Sequence, residues 1–434
     1  MKFRELIALS GLYGGSAVAL RLTGAVVFLG LARALPVEDY ARFGLIYALQ
    51  QAFATFALAG IVEAVIGLTK QHQHEVAEQR LFAAAHLAFL AMSVGCGAVA
   101  FVLWTSFFRN SPLLVAVSAV GGGFVLALAS LQAQLARLRE QHVASVLLAV
   151  LPHFLGLGFG AAAIAVTGTL SGYFVGFLCG AFGAWLYLEL RQYRFGRVAT
   201  EFSDVQLVLG SMLPYVAVSF LGWLSGYGNN YVLEFIFERA EIAKFTLALT
   251  LSSFAQLVSS SLNQVWSPRF YKLVRERENP EELERSNQRF FDLQGWLIGA
   301  AGGLVIAFFP LLTNVLGANL VAYQSMTFEL LLLFVAYVLL NPWGQCYNYY
   351  LANHEGRELM MIVFITSALG LTAWITLMLQ LGPIGIYLGF LVQMVLRSMV
   401  IVLAAKKRWP IMVAWNGTIG GVLLTVGGYV VTTI

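Results

Sequence analysis

Long apolar runs broken by short charged turns set the limits on this chain's fold. The runs fall at roughly 8–33, 42–68, 81–108, 112–136, 143–167, 170–190, 206–230, 243–267, 291–316, 323–350, 358–380 and 383–405. A further apolar stretch, 411–434, is a candidate thirteenth. About 20 apolar residues carry an α-helix across a bilayer, so each run is long enough to span. The remaining composition agrees: 59% of residues are hydrophobic and 11% are charged, against about 25% charged in a soluble domain. An ordinary soluble enzyme, a disordered chain and a nucleic-acid-binding domain are thereby excluded. An outer-membrane barrel would alternate with period two rather than run apolar. The predicted fold class is an all-α polytopic membrane protein with twelve core spans and a thirteenth at the C-terminus. The opening MKFRELIALSGLYGG lacks a short apolar core followed by a small-residue cleavage site, so it reads as the start of the first helix.

Orientation follows from the lysines and arginines. Turns on one side hold Lys2, Arg4, Lys70, Arg80, Arg137, Arg139, Arg191, Arg194 and Arg197. The same side holds six more between Arg269 and Arg289, then Arg357, Lys406, Lys407 and Arg408. The other side holds only Arg33, Arg42, Arg109, Arg239 and Lys244. Basic residues accumulate in cytoplasmic loops, so the first side and the N-terminus are expected in the cytoplasm.

An internal repeat divides the chain. Ala41-Arg42-Phe43-Gly44-Leu45 opens the second span and Ala243-Lys244-Phe245-Thr246-Leu247 the eighth. Ser171-Gly172-Tyr173-Phe174-Val175-Gly176-Phe177 in the sixth span matches Gly385-Ile386-Tyr387-Leu388-Gly389-Phe390 in the twelfth. The expected organisation is a six-helix lobe over 1–191, a cytoplasmic linker 192–205, a second six-helix lobe over 206–410 and the extra helix 411–434. An even number of spans per lobe makes the two parallel, related by a pseudo-two-fold along the membrane normal. That is transporter architecture, with the substrate expected between halves.

A charge inside a span is costly and faces a cavity or a partner. Arg21, mid-way through the first span, is the sharpest case, and a cavity role is expected for it. Arg397 lies about two turns from the cytoplasmic end of the twelfth span, where snorkelling to the interface explains it equally well. Helical spacing gathers polar side chains into stripes: Gln51 and Thr55 on the second span; Ser219, Trp223 and Asn230 on the seventh; Thr250 and Ser253 on the eighth; Tyr337 and Asn341 on the tenth. Hydrogen bonding between helices explains any one of these. Four stripes together suggest a hydrated surface suited to sugars. Glu63 and Glu329 lie inside spans; structural pairing is the first expectation for each, and proton or sodium coupling the alternative. The three cysteines fall inside apolar runs and read as free thiols. No catalytic, cofactor or metal motif is present; His72 and His74 read as loop residues, and the charged segment 268–290 as a short surface helix pair.

Leu31-Ala32-Arg33-Ala34-Leu35-Pro36-Val37-Glu38-Asp39-Tyr40-Ala41-Arg42-Phe43-Gly44 resembles the turn after the first helix of Wzx-type polysaccharide flippases. Asn229-Asn230-Tyr231-Val232-Leu233 is similar to that family's Asp-Arg-Tyr/Phe-x-Leu segment. Ala243-Lys244-Phe245-Thr246-Leu247-Ala248 resembles its Gly-x-Tyr-x-x-Ala, and Gln264-Val265-Trp266-Ser267-Pro268-Arg269-Phe270-Tyr271 the end of its eighth helix. The resemblance runs through all twelve spans in order and spacing. It implies the multidrug/oligosaccharidyl-lipid/polysaccharide (MOP) exporter superfamily, with two six-helix lobes and alternating access. It further implies a bacterial inner-membrane flippase that turns undecaprenyl-pyrophosphate-linked oligosaccharide (an O-antigen, capsule or exopolysaccharide unit) to the outer leaflet. Its expected partners are that substrate, membrane lipids, a proton or sodium ion and other polysaccharide-assembly proteins. Basic cavity residues of such flippases meet the pyrophosphate, and Arg21 matches by position. Asn229-Asn230 stands where the family has Asp-Arg, so that pair's role is lost here. The alternatives are a drug/cation antiporter of the same fold, which favours mid-membrane carboxylates, and a membrane polymerase or glycosyltransferase. Such an enzyme needs sizeable outer loops, and the longest outer turn here is about a dozen residues near 230–242.

Overall fold

The computed structural model describes residues 3–69, 75–107, 112–192, 200–224, 226–275, 279–316, 323–353 and 355–433. His72 and His74 lie outside them, as do several of the turn arginines. The described residues are helical nearly throughout, with no strand. The helices are α1 (Phe3–Ala34), α2 (Val37–Leu58), α3 (Ile61–Thr69), α4 (Glu75–Phe107), α5 (Leu113–Leu138), α6 (His142–Thr167), α7 (Leu170–Gln192), α8 (Phe202–Leu224) and α9 (Asn229–Ile236). They continue with α10 (Arg239–Arg275), α11 (Pro280–Leu316), α12 (Thr327–Leu339), α13 (Asn341–Ala352), α14 (Gly356–Leu381), α15 (Ile384–Lys406) and α16 (Trp415–Thr433). Among the described residues, ten helical stretches are long and apolar enough to cross a membrane. The chain is a multi-pass helical membrane protein. The expected count of twelve plus one is not reached by that measure. The segments of α1, α8 and α16, with 32, 23 and 19 residues, fall outside the ten.

Breaks and extensions depart from the sequence reading where local chemistry requires. The second span is two helices, parted at Ala59-Gly60, where Gly60 takes φ +76. Only glycine adopts that conformation without strain. A Cβ there would also stand 2.5 Å from the Met212 carbonyl oxygen of α8. The tenth span breaks into α12 and α13 at Leu340, because Pro342 has no N–H to continue the ladder. The seventh span ends at Leu224, and of its expected last residues 226–228 form a turn while Asn229 and Asn230 open α9. The segment 268–290 is not a separate surface pair. Its two ends prolong α10 and α11, each 37 residues and about 55 Å long, well beyond a 30 Å hydrocarbon core. Trp266 and Phe290 stack there at 4.9 Å, and the Trp266 indole donates to Asn287 at 2.9 Å.

Packing divides the chain into two compact units: residues 1–40 with 233–434, and residues 41–232. These cuts differ from the lobes 1–191 and 206–410 expected from the repeat. In the first unit α1 lies along α10; in the second α8 packs on α3 and α4.

Within each unit, glycines let helices approach closely. In the second unit Gly172, Gly176 and Gly180 of α7 bear on α6; in the first, Gly385 and Gly389 of α15 bear on α14. The repeated motif of the sixth and twelfth spans thus does the same work twice: it closes a helical hairpin. Also in the first unit, Gly295, Gly299 and Gly303 of α11 meet Gly417, Gly421 and Gly428 of α16 backbone to backbone. Small residues four apart are how membrane helices gain dispersion contact without a hydrophobic drive. The turn before α16 is fixed by buried polar groups. Glu284 accepts from the Met412 N–H at 2.7 Å, from Gln345 at 3.3 Å and from the Tyr349 hydroxyl. Gln345 in turn accepts from the Ala414 N–H at 3.1 Å.

Candidate substrate site

The first unit holds the charge singled out by the sequence. Arg21 extends from α1 to α10, where one guanidinium nitrogen donates to the Ser253 carbonyl at 3.1 Å and to Gln256 Oε1 at 3.2 Å. Gln256 passes its own donor on to the Tyr337 hydroxyl of α12 at 2.6 Å. The Tyr337 ring meets Phe390 of α15 edge-on at 5.6 Å. A relay Arg21–Gln256–Tyr337 therefore runs through three helices. The guanidinium is half-buried, and among the described residues no carboxylate lies within ion-pair distance of it. Its acceptors are neutral, so its full positive charge is uncompensated. Each such charged hydrogen bond contributes about 1.5–3 kcal/mol, which orients the group without neutralising it.

Ser253 enters this relay through its carbonyl. Its hydroxyl turns back to the Thr250 carbonyl at 2.6 Å, and the Thr250 hydroxyl to the Thr246 carbonyl at 2.9 Å. Both hydroxyls donate within their own helix, and both residues are half-buried. Gln256 is the residue the sequence reading missed. It stands three residues beyond Ser253, on nearly the same face, and a stripe traced at both i+3 and i+4 includes it.

Arg397 has a different environment. It donates to the Ser367 hydroxyl at 3.3 Å and packs over the Trp343 ring at 5.2 Å, while its Nε is buried with no hydrogen-bond partner. Its partners are separate from those of Arg21. Asn341 is 3% exposed; it accepts from Gln294 at 3.0 Å and donates to the Phe291 carbonyl at 2.7 Å. It ties α13 to α11.

In the second unit the expected stripe residues also act as fasteners. The Trp223 indole donates to the Ala48 carbonyl at 3.1 Å, and Asn230, 1% exposed, to the Gly44 carbonyl at 3.3 Å. With the Tyr231 hydroxyl on Leu45 at 2.9 Å, they anchor α8 and α9 to α2. Gln51, Thr55 and Ser219 are half-buried, and the Gln51 amide nitrogen is buried without a partner.

The acidic candidates separate. Glu63 is exposed in the first turn of α3. Glu329, in the first turn of α12, has Lys244 and Glu241 as charged neighbours and one carboxylate oxygen buried without a hydrogen-bond partner. Lys244 is held by Glu241 at 2.8 Å.

The sequence matches no family model, and no curated protein matches it. Solved structures do match. An inward-facing multidrug-resistance MATE transporter of the MOP superfamily aligns over 91% of this chain and 98% of its own, with TM-score 0.68 and 15% identity. The lipid II flippase MurJ, in an inward closed conformation, aligns over 97% and 92%, with TM-score 0.66 and 12% identity. The chain shares the fold of these two transporters. A point mutant of the Vibrio cholerae MATE transporter VcmN aligns over 93% and 96%, with TM-score 0.61 and 14% identity. At these identities the likeness is one of fold, and fold alone does not carry function.

Proposed function

We propose that the chain is a flippase that moves undecaprenyl-pyrophosphate-linked oligosaccharide across the bacterial inner membrane by alternating access. Arg21 meets the pyrophosphate. The observation that carries this reading is a guanidinium within the first helix whose partners among the described residues are neutral. A bare cation at that depth is costly, and an arriving phosphate gives it charge-assisted hydrogen bonds that its planar fork can make in pairs. Gln256 and Tyr337 aim the group. The sugar contacts fall to Gln51, Thr55 and Ser219, since Asn230, Thr250, Ser253 and Asn341 are committed to helix contacts and Trp223 offers only its ring. Arg397 serves as a second, separate cationic station. The likeness to MurJ, a lipid II flippase by description, supports the substrate class, and the Wzx-type resemblance supports the sugar cargo.

The MATE structures favour a second reading, a drug/cation antiporter. That activity needs an acid to trade protons or sodium for drug. Glu329 is the available candidate, and the tethered Lys244 ammonium beside it stands where a coupling cation would go. Purified protein in vesicles carrying fluorescent undecaprenyl-pyrophosphate-linked oligosaccharide should equilibrate the label between leaflets. Absence of that movement, together with ion-dependent uptake of a cationic dye, overturns the flippase reading in favour of the antiporter.

A further inference from the structure

The two halves of the tenth span are held in different ways. α13 is riveted by polar groups. Asn341 accepts from Gln294 at 3.0 Å and donates to the Phe291 carbonyl of α11 at 2.7 Å. Asn348 accepts from Ser267 and Tyr271 of α10 at 3.0 and 3.3 Å. Gln345 and Tyr349 both donate to Glu284 of α11. α12 is mostly apolar, TFELLLLFVAYVL, and buries Leu330 to Phe334, Ala336 and Val338. Thr327 and Glu329 stand in its first turn; beyond them its polar side chain is Tyr337. Gln256 of α10 donates to that hydroxyl at 2.6 Å. Apolar contact has no preferred direction, whereas hydrogen bonds weaken steeply when misaligned. α12 can therefore shift against its neighbours at little cost, and α13 cannot.

A joint stands between the halves. Leu340 separates them, and Pro342 has no N–H with which to continue the ladder. A bend there meets an interruption that already exists. The polar tie on α12 leads through Gln256 to Arg21. Both bonds from Arg21 to α10 use one guanidinium nitrogen, Nη1. The other edge, Nε with Nη2, makes no bond among the described residues. A phosphate can pair with that edge through two parallel bonds. A bidentate ionic pair outweighs single bonds to neutral oxygens, so the guanidinium follows the phosphate and releases Gln256. Gln256 is exposed, and Arg21 is what fixes its side-chain oxygen.

We infer that the tenth span is a jointed rod: α13 stays fixed, α12 pivots at Leu340, and Arg21 sets the position of α12 through Gln256 and Tyr337. The phosphate's part in this rests on the flippase reading; the joint does not. α12 has 13 residues, so its outer end lies about 20 Å from Leu340. A kink of about 20° moves that end through about 7 Å. The test uses spin labels on the full-length protein in lipid nanodiscs, with Cys96 and Cys179 changed to serine and the buried Cys346 kept. Labels at Ser325→Cys and Gln380→Cys, both exposed positions, report the outer end of α12 against that of α14. Labels at Leu351→Cys and Gln380→Cys report α13 against the same helix. Arg21→Gln and Tyr337→Phe should each broaden the first distance distribution, by up to about 7 Å, and leave the second unchanged. Undecaprenyl pyrophosphate should shift the first distance in the native protein and do nothing further in Tyr337→Phe. Pro342→Ala restores the N–H and should suppress the shift. A first distribution unchanged in both variants, or two pairs that move together, overturns the inference. The two readings fail separately. Variants that broaden the first pair, with no shift on adding the lipid, leave the joint standing and sink the phosphate's place on Arg21. Translocation of lipid-linked oligosaccharide, with the first pair unchanged in both variants, sinks the joint alone.

Discussion

Replacing Arg21 by glutamate tests the charge at the centre of the proposed mechanism. The structure sets the scale of two effects. Folding loses two hydrogen bonds from a charged donor, to the Ser253 carbonyl and to Gln256. The carbonyl sits within α10 and keeps its helical partner, and Gln256 keeps Tyr337. The folding penalty is therefore about 1–3 kcal/mol, at the low end for such bonds, because the guanidinium is half-exposed and no buried acceptor is orphaned. Substrate binding loses more. Two charge-assisted bonds to a phosphate amount to about 3–6 kcal/mol, or two to four decades in affinity, and the glutamate adds repulsion. Arg21→Lys keeps the charge but loses the planar fork; it should retain measurable transport while falling about tenfold or more. Arg21→Gln removes the charge without adding a negative one; it should resemble glutamate in transport and, losing the same two bonds, carry the same folding penalty of about 1–3 kcal/mol. The assay is surface glycan in a deletion strain, with protein level and accumulated lipid-linked oligosaccharide measured on the same cells. Native glycan from the glutamate variant at native protein level refutes the reasoning. So does a loss of transport that tracks a loss of folded protein across all three variants.

Gln256→Leu and Tyr337→Phe should each lower translocation by about tenfold, and the double variant by hardly more, because both break one relay; additive losses in this double-mutant cycle would show that the two act independently. Gly299→Leu drives a side chain into the Gly421 backbone and should cost about 3 kcal/mol or more in thermal unfolding, beyond ordinary overpacking, whereas Gly427→Ala, whose Cβ meets nothing within 4 Å, should be neutral or stabilising by up to about 1 kcal/mol. Asn341→Leu leaves Gln294 short of an acceptor and should lower stability by about 1–3 kcal/mol; transport per folded molecule should be unchanged, and a specific transport defect would restore Asn341 to the substrate surface. A reporter fused after Ile434 should lie on the side opposite the N-terminus, because 19 helical residues of α16 reach about 28 Å; a cytoplasmic signal would show that α16 does not cross.

The spans and their turns were legible in the sequence because hydrocarbon imposes one strong requirement, an unbroken apolar stretch that satisfies its own backbone. The breaks were less so. Pro342 marked one, since a missing N–H is visible in the letters. Gly60 did not: its positive φ belongs to the folded turn, and the close passage of Met212 and Tyr215 brings in residues far away in sequence. The polar stripes show the limit most clearly. Thr250, Ser253 and Asn341 all stood on plausible faces. Two of them bond their own helix, and the third bonds Gln294 and Phe291. Periodicity gives the direction a side chain points but not what lies opposite.

What the sequence alone determined, then, was a helical membrane chain, the repeat seen in its glycine-tyrosine-phenylalanine motifs and the anomaly of an arginine midway through an apolar run. These follow from one-dimensional facts: run length, spacing and the rarity of charge in apolar stretches. Only the tertiary structure decided that Arg21 faces neutral acceptors through Gln256 and Tyr337, that Arg397 stands apart on Trp343 and Ser367, and that α1 packs with α10. Those outcomes depend on which surfaces pack together, and a partner 232 residues away leaves no mark on the local pattern.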